Sequence, residues 1–532
     1  MPTRRHGSSS MLRSCRHVIG SAAISKFRPE FLRRTLSFPA TRALLVCGLL
    51  WLLAFAYGSL FLWRDPHSAY FRSEGVYDLD YSATRQAEAR AFLEQVSAEV
   101  AAAADTKKTQ GDDGKAKGGQ TKDDGAAVPK PRPKAGPTPT MCVAFATVRR
   151  EGDVARQYLA DAVGSMLASL DPRERAAMHV KLLFANTDPA QHPDWGAPWV
   201  DALVDDASGY RGLTDLERAG LRKAEEERDV QLKGNFDYMY LLERCLEDTD
   251  APFIAVFEDD IVFSADWAAR TLRGLQYLVR DHKKAEGNDN DNDDNRDWLY
   301  MRLFYTETHL GWVHERDWWY NHLPLTLAIA AGCSALVLVL LRLASHYCCC
   351  CSCCSGGNRL RLDWATIAVV SLVVAPAFTA LTFMAGKHNL PLPGYSLHHP
   401  SVPFSPPGSA LAAGVTAMDK NACCTQALVF HRPAVPGLIK NLRELERGQT
   451  DLMIEDYCDA VGLRRFALRE QAVQHVGLVS SRGMRVADAR SVWAFWFEAN
   501  RPEAVEKSHR EVLEEIDWAM FEKLATPARA GE

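Results

Sequence analysis

The chain has 532 residues, enough for two or three domains, with 62 Lys and Arg against 67 Asp and Glu and a formal charge of −5. Hydrophobic residues make up 47% and charged residues 24%, which excludes a wholly disordered or fibrous chain. The charge is uneven: residues 1–42 carry nine Lys or Arg and one acid, a net +8, leaving −13 for the rest.

Residues 43–63 (ALLVCGLLWLLAFAYGSLFLW) are uncharged and would make about 31 Å of helix, enough to cross a bilayer. A cleaved signal peptide has a shorter apolar run, and 42 residues do not normally precede it. Basic residues concentrate on the cytosolic flank of a membrane helix, so the tail at 1–42 is predicted cytosolic. That explains the basic arm without invoking nucleic acid.

Residues 64–140 read as a lumenal stem, helical at 82–104 and then charged, Gly/Pro-rich and expected to be disordered at 105–140. A first part of a folded domain spans 141–322. Strands are predicted at 141–148, 180–184 and 253–257, with helices at 153–170 and 229–246 between them. Alternating strands and helices imply an α/β fold with a largely parallel sheet, whose ligands gather outside the carboxyl ends of the strands. Arg149, Asp188 and the triplet Glu258, Asp259, Asp260 all fall at that edge.

The triplet sits in FIAVFEDDIVF (253–263), three carboxylates after a run of apolar, β-forming residues. Crowded acids raise one another's pKa unless something positive compensates. Hard divalent cations, Mn²⁺ or Mg²⁺, prefer such oxygen ligands and usually bridge them to phosphate. The alternative is a loop that caps a helix or pairs with basic residues. The run NDNDNDDN (288–295) lacks the glycine and closing glutamate of a calcium loop and is expected to be a solvated loop.

Two further apolar runs have bilayer length: LPLTLAIAAGCSALVLVLL (323–341, the span taken to 343) and WATIAVVSLVVAPAFTALTFMA (364–385). The turn between them, 344–363, is flanked by Arg342 and holds Arg359 and Arg361 with no acid before Asp363, so it is predicted cytosolic. Two crossings return the chain to its starting side, so 141–322 and 386–532 can form one domain. Six of the 14 cysteines crowd positions 348–354, a place suited to S-palmitoylation; zinc is the rival, but consecutive cysteines lack zinc-knuckle spacing. Cys142, Cys245, Cys423, Cys424 and Cys458 lie on the far side, where an oxidising lumen permits disulfides whose pairing stays open. A proline-rich connector at 390–409, with His398 and His399 as loop residues, leads to a strand at 422–432.

Four stretches carry the chemistry: KGNFDY (233–238), FEDDI (257–261), GQTDLMIEDYC (448–458) and VQHVGLVSS (473–481). Lys233 and Asp237, like Asp451 and Glu455, are four apart and share a helix face, which also suits plain helix ion pairs. Taken in this order over 141–490, they resemble the Golgi GPI-anchor N-acetylgalactosaminyltransferases of the GT-A class, and in motifs the N-acetylglucosaminyltransferase IV group. The inserted membrane hairpin points to the former. EDD replaces the more usual DxD, which leaves open which two carboxylates touch metal.

The resemblance implies a Rossmann-like GT-A domain that transfers a sugar from a UDP-sugar donor to a GPI-glycan acceptor at the membrane lipid surface, with inversion and with Mn²⁺ or Mg²⁺. Asp260, Asp259 and His475 would hold the metal. Asp451, then Glu455, then Asp456 are the candidates for catalytic base. Arg149, Asp188, Lys233, Asp237, Glu258 and Asp259 would bind the nucleotide-sugar. The alternatives are a Golgi transferase acting on N-glycans or other glycoconjugates, and a non-catalytic membrane scaffold. A transporter is disfavoured, because the three spans hold no intramembrane acid or base for an ion path.

Overall fold

The computed structural model describes residues 37–112, 134–150, 152, 155–280, 298–309, 318–347, 362–390, 413–418, 424–477 and 492–526. The basic tail, the acidic run at 288–295, the cysteine cluster at 348–354 and most of the proline-rich connector lie outside these. The chain divides into two units: 1–61 with 313–384, and 62–312 with 385–532. The second unit is discontinuous in sequence, with residues 313–384 of the first unit between its two parts.

The first unit holds three helices long and apolar enough to cross a membrane: Pro39–Phe61, Leu323–Ser345 and Trp364–Ala385. The first starts four residues earlier than expected and stops two short of Trp63. Trp51 Nε1 donates to Ala377 O at 3.0 Å, pinning the first helix to the third. The third passes through a π-helical stretch, Val370–Val374, just before Pro376. Proline has no N–H to donate and its ring crowds the preceding turn, and a local π segment absorbs that mismatch.

The second unit is built on an eight-stranded sheet in the order β3-β2-β1-β4-β8-β6-β9-β7, with a two-stranded ribbon of β5 and β10 beside it. In chain order these are β1 (Met141–Thr147), β2 (Met178–Phe184), β3 (Asp206–Ser208), β4 (Phe253–Glu258), β5 (Ile261–Phe263), β6 (Trp298–Arg302), β7 (Val415–Ala417), β8 (Ala427–His431), β9 (Arg464–Leu468) and β10 (Val473–His475). Four of the seven sheet pairings are parallel. β3, β2, β1 and β4 run together, whereas β8 is antiparallel to both its neighbours and β7 is antiparallel to β9. The sheet is thus Rossmann-like in its first half and mixed in its second.

Both faces are covered, so the central strands are apolar throughout rather than alternating. In β1, Met141, Val143 and Phe145 pack into one core with the helices Tyr158–Ala168 and Trp267–Arg280. Cys142 and Ala144 pack into the other, against Val230–Asp248, Val435–Leu445 and Thr450–Val461. The even face carries a disulfide from Cys142 to Cys245, Cα–Cα 5.8 Å, across a separation of 103 residues. Cys424 is disulfide-bonded as well, whereas Cys458 is a free buried thiol.

Both ends of the segment expected to be disordered are ordered. The helix that starts at Asp80 runs on to Asp112. Residues 134–140 dock onto the helix Pro198–Leu203 and the residues just after it: Lys134 Nζ donates to Asp201 O and Val204 O at 3.0 and 2.8 Å, and Ala135 N to the Asp205 carboxylate. The long helix crosses Tyr158–Ala168 where Gly164 meets Ala89, and a Cβ on Gly164 would stand 2.8 Å from that of Ala89. From the same helix Arg85 reaches across to Phe263 O, at 2.9 Å, and fastens β5.

Candidate functional site

The EDD triplet turns the chain from β4 into β5, at the carboxyl end of a central strand where the sequence placed it. Parallel pairing of β1 with β4, Ala146 opposite Glu258, brings the end of β1 beside the acids. Antiparallel pairing of β10 with β5, His475 opposite Ile261, brings in the histidine from more than 200 residues away, and Val476 N donates to Asp260 O at 2.9 Å. Asp259, Asp260 and His475 therefore do converge. His475 Nε2 stands 3.7 Å from Asp260 Oδ2, and its Nδ1 bonds Val492 O at 3.2 Å.

Each acid has a different environment. Glu258 is half-buried and accepts from Thr425 Oγ1 at 2.6 Å. Asp259 Oδ2 accepts from Thr147 Oγ1 at 2.7 Å, and Thr147 Oγ1 lies 3.0 Å from His192 Nε2. His192 Nδ1 accepts from Asp194 N at 3.2 Å, so the Nε2 proton points at Thr147 and the chain His192 to Thr147 to Asp259 has one consistent direction. Burial, helped by the nearby Arg150 charge, pushes His192 down to about 4, which keeps it neutral in this role.

The cation beside the acids is Arg150, one residue beyond the Arg149 that the sequence suggested. Its guanidinium forks across the pair, with Nη2 on Asp259 Oδ1 and Nη1 3.1 Å from Asp260 Oδ2, and it lies 5.3 Å from the centre of the Tyr158 ring. Arg149 is exposed and uses its backbone N–H on Asn186 Oδ1, 2.8 Å away. Burial works against the Asp260 anion, yet Arg150 and His475 outweigh it and hold Asp260 well below the usual carboxylate range. Burial and the neighbouring Asp260 push Asp259 up despite Arg150. Burial would discharge His475, but Asp260 raises its pKa, so that side chain favours the imidazolium.

Two features single out Asp260. Its Oδ1 is buried without a hydrogen-bond partner, an expensive state for a carboxylate oxygen. Gly477 faces it with no side chain: a Cβ there would come within 2.3 Å of Asp260 Oδ2 and 2.8 Å of His475 Nε2. The donors, carboxylate oxygens and one imidazole, fit a hard divalent cation by chemistry. Among the described residues no three ligand side chains are already gathered for a metal, because the Arg150 guanidinium stands among them.

A buried brace holds the histidine strand. Gln474 pairs with the backbone of Ala494, its Oε1 accepting from Ala494 N and its Nε2 donating to Ala494 O, both at 3.0 Å. The same Nε2 donates to Glu498 at 3.0 Å, and Glu498 accepts from Tyr81 N and Ser82 N at the start of the long helix. Glu498 thereby ties that helix to the residue next to His475.

Lys233, Asp237 and Asp188 make their hydrogen bonds to groups other than the acid pair. Lys233 and Asp237 form a buried pair at 3.0 Å, and Lys233 Nζ also donates to Ala185 O, just past β2, and to Tyr210 OH. Burial pushes Asp237 up against the pull of Lys233. The ammonium expected at a diphosphate is thus spent here on tying the Val230–Asp248 helix to the sheet edge. Asp188 is exposed and caps the short turn at Pro189–Gln191 by accepting from Ala190 N at 3.1 Å.

In the Thr450–Val461 helix, Asp451 is half-buried in the first turn and accepts from Leu452 N at 2.9 Å, and Asp456 is exposed. Glu455 differs from the expectation of a base. It is fully enclosed, with Oε1 taking Arg302 Nη2 at 2.5 Å and Tyr300 OH, and Oε2 taking Arg465 Nη1. A carboxylate that neutralises two buried arginines has no oxygen open to an acceptor hydroxyl, so its role is to join this helix to β6 and β9. Arg150, Thr147, His192 and Gly477 were missed in the sequence; the doubled arginine after a strand and the glycine in the QHVG stretch were the available signals.

No curated protein and no solved structure shows significant similarity to the chain. A family model described as GPI-N-acetylgalactosamine transferase PGAP4 matches residues 141–474, well over half of the sequence, from the first residue of β1 to the middle of β10. The match starts and ends on the strands that frame the acid pair and runs through the inserted hairpin, and on that ground the chain belongs to the GPI-N-acetylgalactosamine transferase family.

Proposed function

We propose that the protein transfers N-acetylgalactosamine from UDP-GalNAc to the glycan of GPI anchors, in the Golgi lumen. The observation that carries this reading is the buried Asp259–Asp260 pair at the carboxyl end of β4, with Asp260 Oδ1 buried and without a hydrogen-bond partner, in a chain of that family. Asp260, Asp259 and His475 would hold Mn²⁺ or Mg²⁺, with Glu258 at the rim. When bound, the cation supplies Lewis-acid neutralisation of the departing diphosphate.

The rest falls to the chain's own groups. Thr147, oriented by neutral His192, keeps Asp259 Oδ2 fixed. Glu498 and Gln474 fix the strand that presents His475. Arg149, Asp188, Lys233 and Asp237 stand at the same sheet edge as candidates for the nucleotide. Asp451 is the proposed base for the acceptor hydroxyl, because it is half-buried where Glu455 is sealed and Asp456 faces solvent. Three spans, with the N terminus and the hairpin turn in the cytosol, would tether the domain close to a lipid-borne acceptor and raise its effective concentration. The disulfide between Cys142 and Cys245 agrees with an oxidising lumen for this unit.

The test is incubation of the purified full-length protein with a panel of UDP-sugars and a GPI acceptor, with and without Mn²⁺. Transfer of GalNAc that needs Mn²⁺ and is lost in Asp260→Asn is expected. Equal transfer by the variant, or transfer to N-glycans alone, would overturn the reading.

A further inference from the structure

The acid pair already has a cation, and it is part of the chain. Arg150 bonds Asp259 Oδ1 and Asp260 Oδ2, so each carboxylate gives one oxygen to the same guanidinium. Each also has one oxygen turned away: Asp259 Oδ2 toward Thr147, and Asp260 Oδ1 toward no hydrogen-bond partner. Arg150 comes from the segment directly after β1, where Gly152 has φ +96 and no heavy atom within 4 Å of an added Cβ, so the backbone there is open on at least one side. On its other side the guanidinium lies on the Tyr158 ring, a contact that tolerates sliding more readily than a forked hydrogen bond does.

We propose that Arg150 is a resident counter-ion that competes with the divalent cation for Asp259 and Asp260 and moves onto the donor's diphosphate when both arrive. This rests on the proposed function and adds to it a second source of coupling between nucleotide and metal, beyond the metal's own bridge to phosphate. A planar guanidinium matches phosphate as well as carboxylate, with two parallel N–H donors. Without nucleotide, metal binding must strip Arg150 from two buried carboxylates and brings no new anion for it. With a diphosphate present, the same departure is repaid by new charge-assisted bonds. Metal and nucleotide therefore bind with positive coupling, and by linkage each tightens the other by the same factor. The device keeps the buried acids neutralised between turnovers and suppresses metal uptake without a donor.

The test measures binding rather than turnover. Mn²⁺ affinity of the full-length detergent-solubilised protein is read from the electron paramagnetic resonance signal of free Mn²⁺, alone and with saturating UDP. In the natural protein UDP is expected to tighten Mn²⁺ at least about tenfold. In Arg150→Met, Mn²⁺ alone is expected to bind at least about tenfold tighter than to the natural protein, and the UDP effect is expected to shrink to what the metal's own bridge to phosphate supplies. Arg150→Lys keeps one charge without the fork, should retain the fold, and is expected to fall between the two.

Unchanged Mn²⁺ affinity and unchanged coupling in both variants would overturn the role of Arg150 while leaving metal-dependent transfer intact. Should Arg150→Met fail to fold, the absence of any UDP effect on Mn²⁺ binding in the natural protein would overturn it equally. Failure of the natural protein to bind Mn²⁺ even with UDP would instead remove the metal from the functional reading, and this inference with it.

Discussion

Glu455 separates a structural carboxylate from a catalytic one. It is fully buried, Arg302 beside it is 2% exposed and Arg465 7% exposed, and both arginines spend a charge-assisted bond on it. Replacing Glu455 with Gln keeps the shape but removes the anion, so two buried guanidinium groups lose a shared counter-charge, while Arg465 keeps Asp459. Breaking one buried pair costs about 3–5 kcal/mol, because the remaining charge stays desolvated. A cost of 1 kcal/mol lowers Tm by about 2–4 °C in a domain of 150–250 residues and by less in a larger one, so a fall on the order of 5 °C or more is expected. The assay is thermal unfolding of the full-length protein in detergent, followed by tryptophan fluorescence, beside transfer activity at a temperature where both proteins are folded. Activity per folded molecule should stay within a few-fold of the natural protein. A variant with unchanged Tm and transfer lowered by more than about a hundredfold would refute the reasoning and return Glu455 to the role of base.

Gly477→Ala places a Cβ 2.3 Å from Asp260 Oδ2, so the acid and His475 must shift; transfer is expected to fall about a hundredfold with little change in Tm, and normal kinetics would show that the close approach does not matter. Replacing Cys142 and Cys245 together with Ala should cost about 2–5 kcal/mol, because the bond closes a loop of about 100 residues, measured as a lowered denaturant midpoint with a smaller further fall on adding reductant than the natural protein shows. His509 donates to the enclosed Glu174 at 3.0 Å; burial lowers its pKa but Glu174 wins and raises it above 6.5. Its contribution is therefore complete below pH 6.5 and is lost as the pH rises through the raised value. The Tm gap between the natural protein and His509→Asn should narrow from pH 6 to pH 9, and a gap that widens would reverse the assignment.

What the sequence made legible was whatever depends on local pattern. The apolar length of 323–341 and 364–385 and the buried strand before EDD survive in the structure. What it hid depends on register. Arg149 and Arg150 are adjacent, and only the pairing of Ala146 with Glu258 decides which of them reaches the acids. Likewise, Asp451 and Glu455 share spacing with Lys233 and Asp237, but two arginines in β6 and β9 claim Glu455, and nothing in a four-residue spacing announces partners 153 and 10 positions away. The ordered residues 134–140 were missed for a related reason: their Gly/Pro-rich composition signals a poor core former, while they are held by polar groups of residues 201–205, which lie far along the chain.

The most direct test is mass spectrometry of GPI glycans from cells lacking the protein, complemented with either the natural chain or Asp260→Asn at matched membrane levels. An N-acetylhexosamine branch should return with the natural chain and stay absent with the variant. Its return with Asp260→Asn, or its absence with both, would contradict transfer at the β4 acid pair.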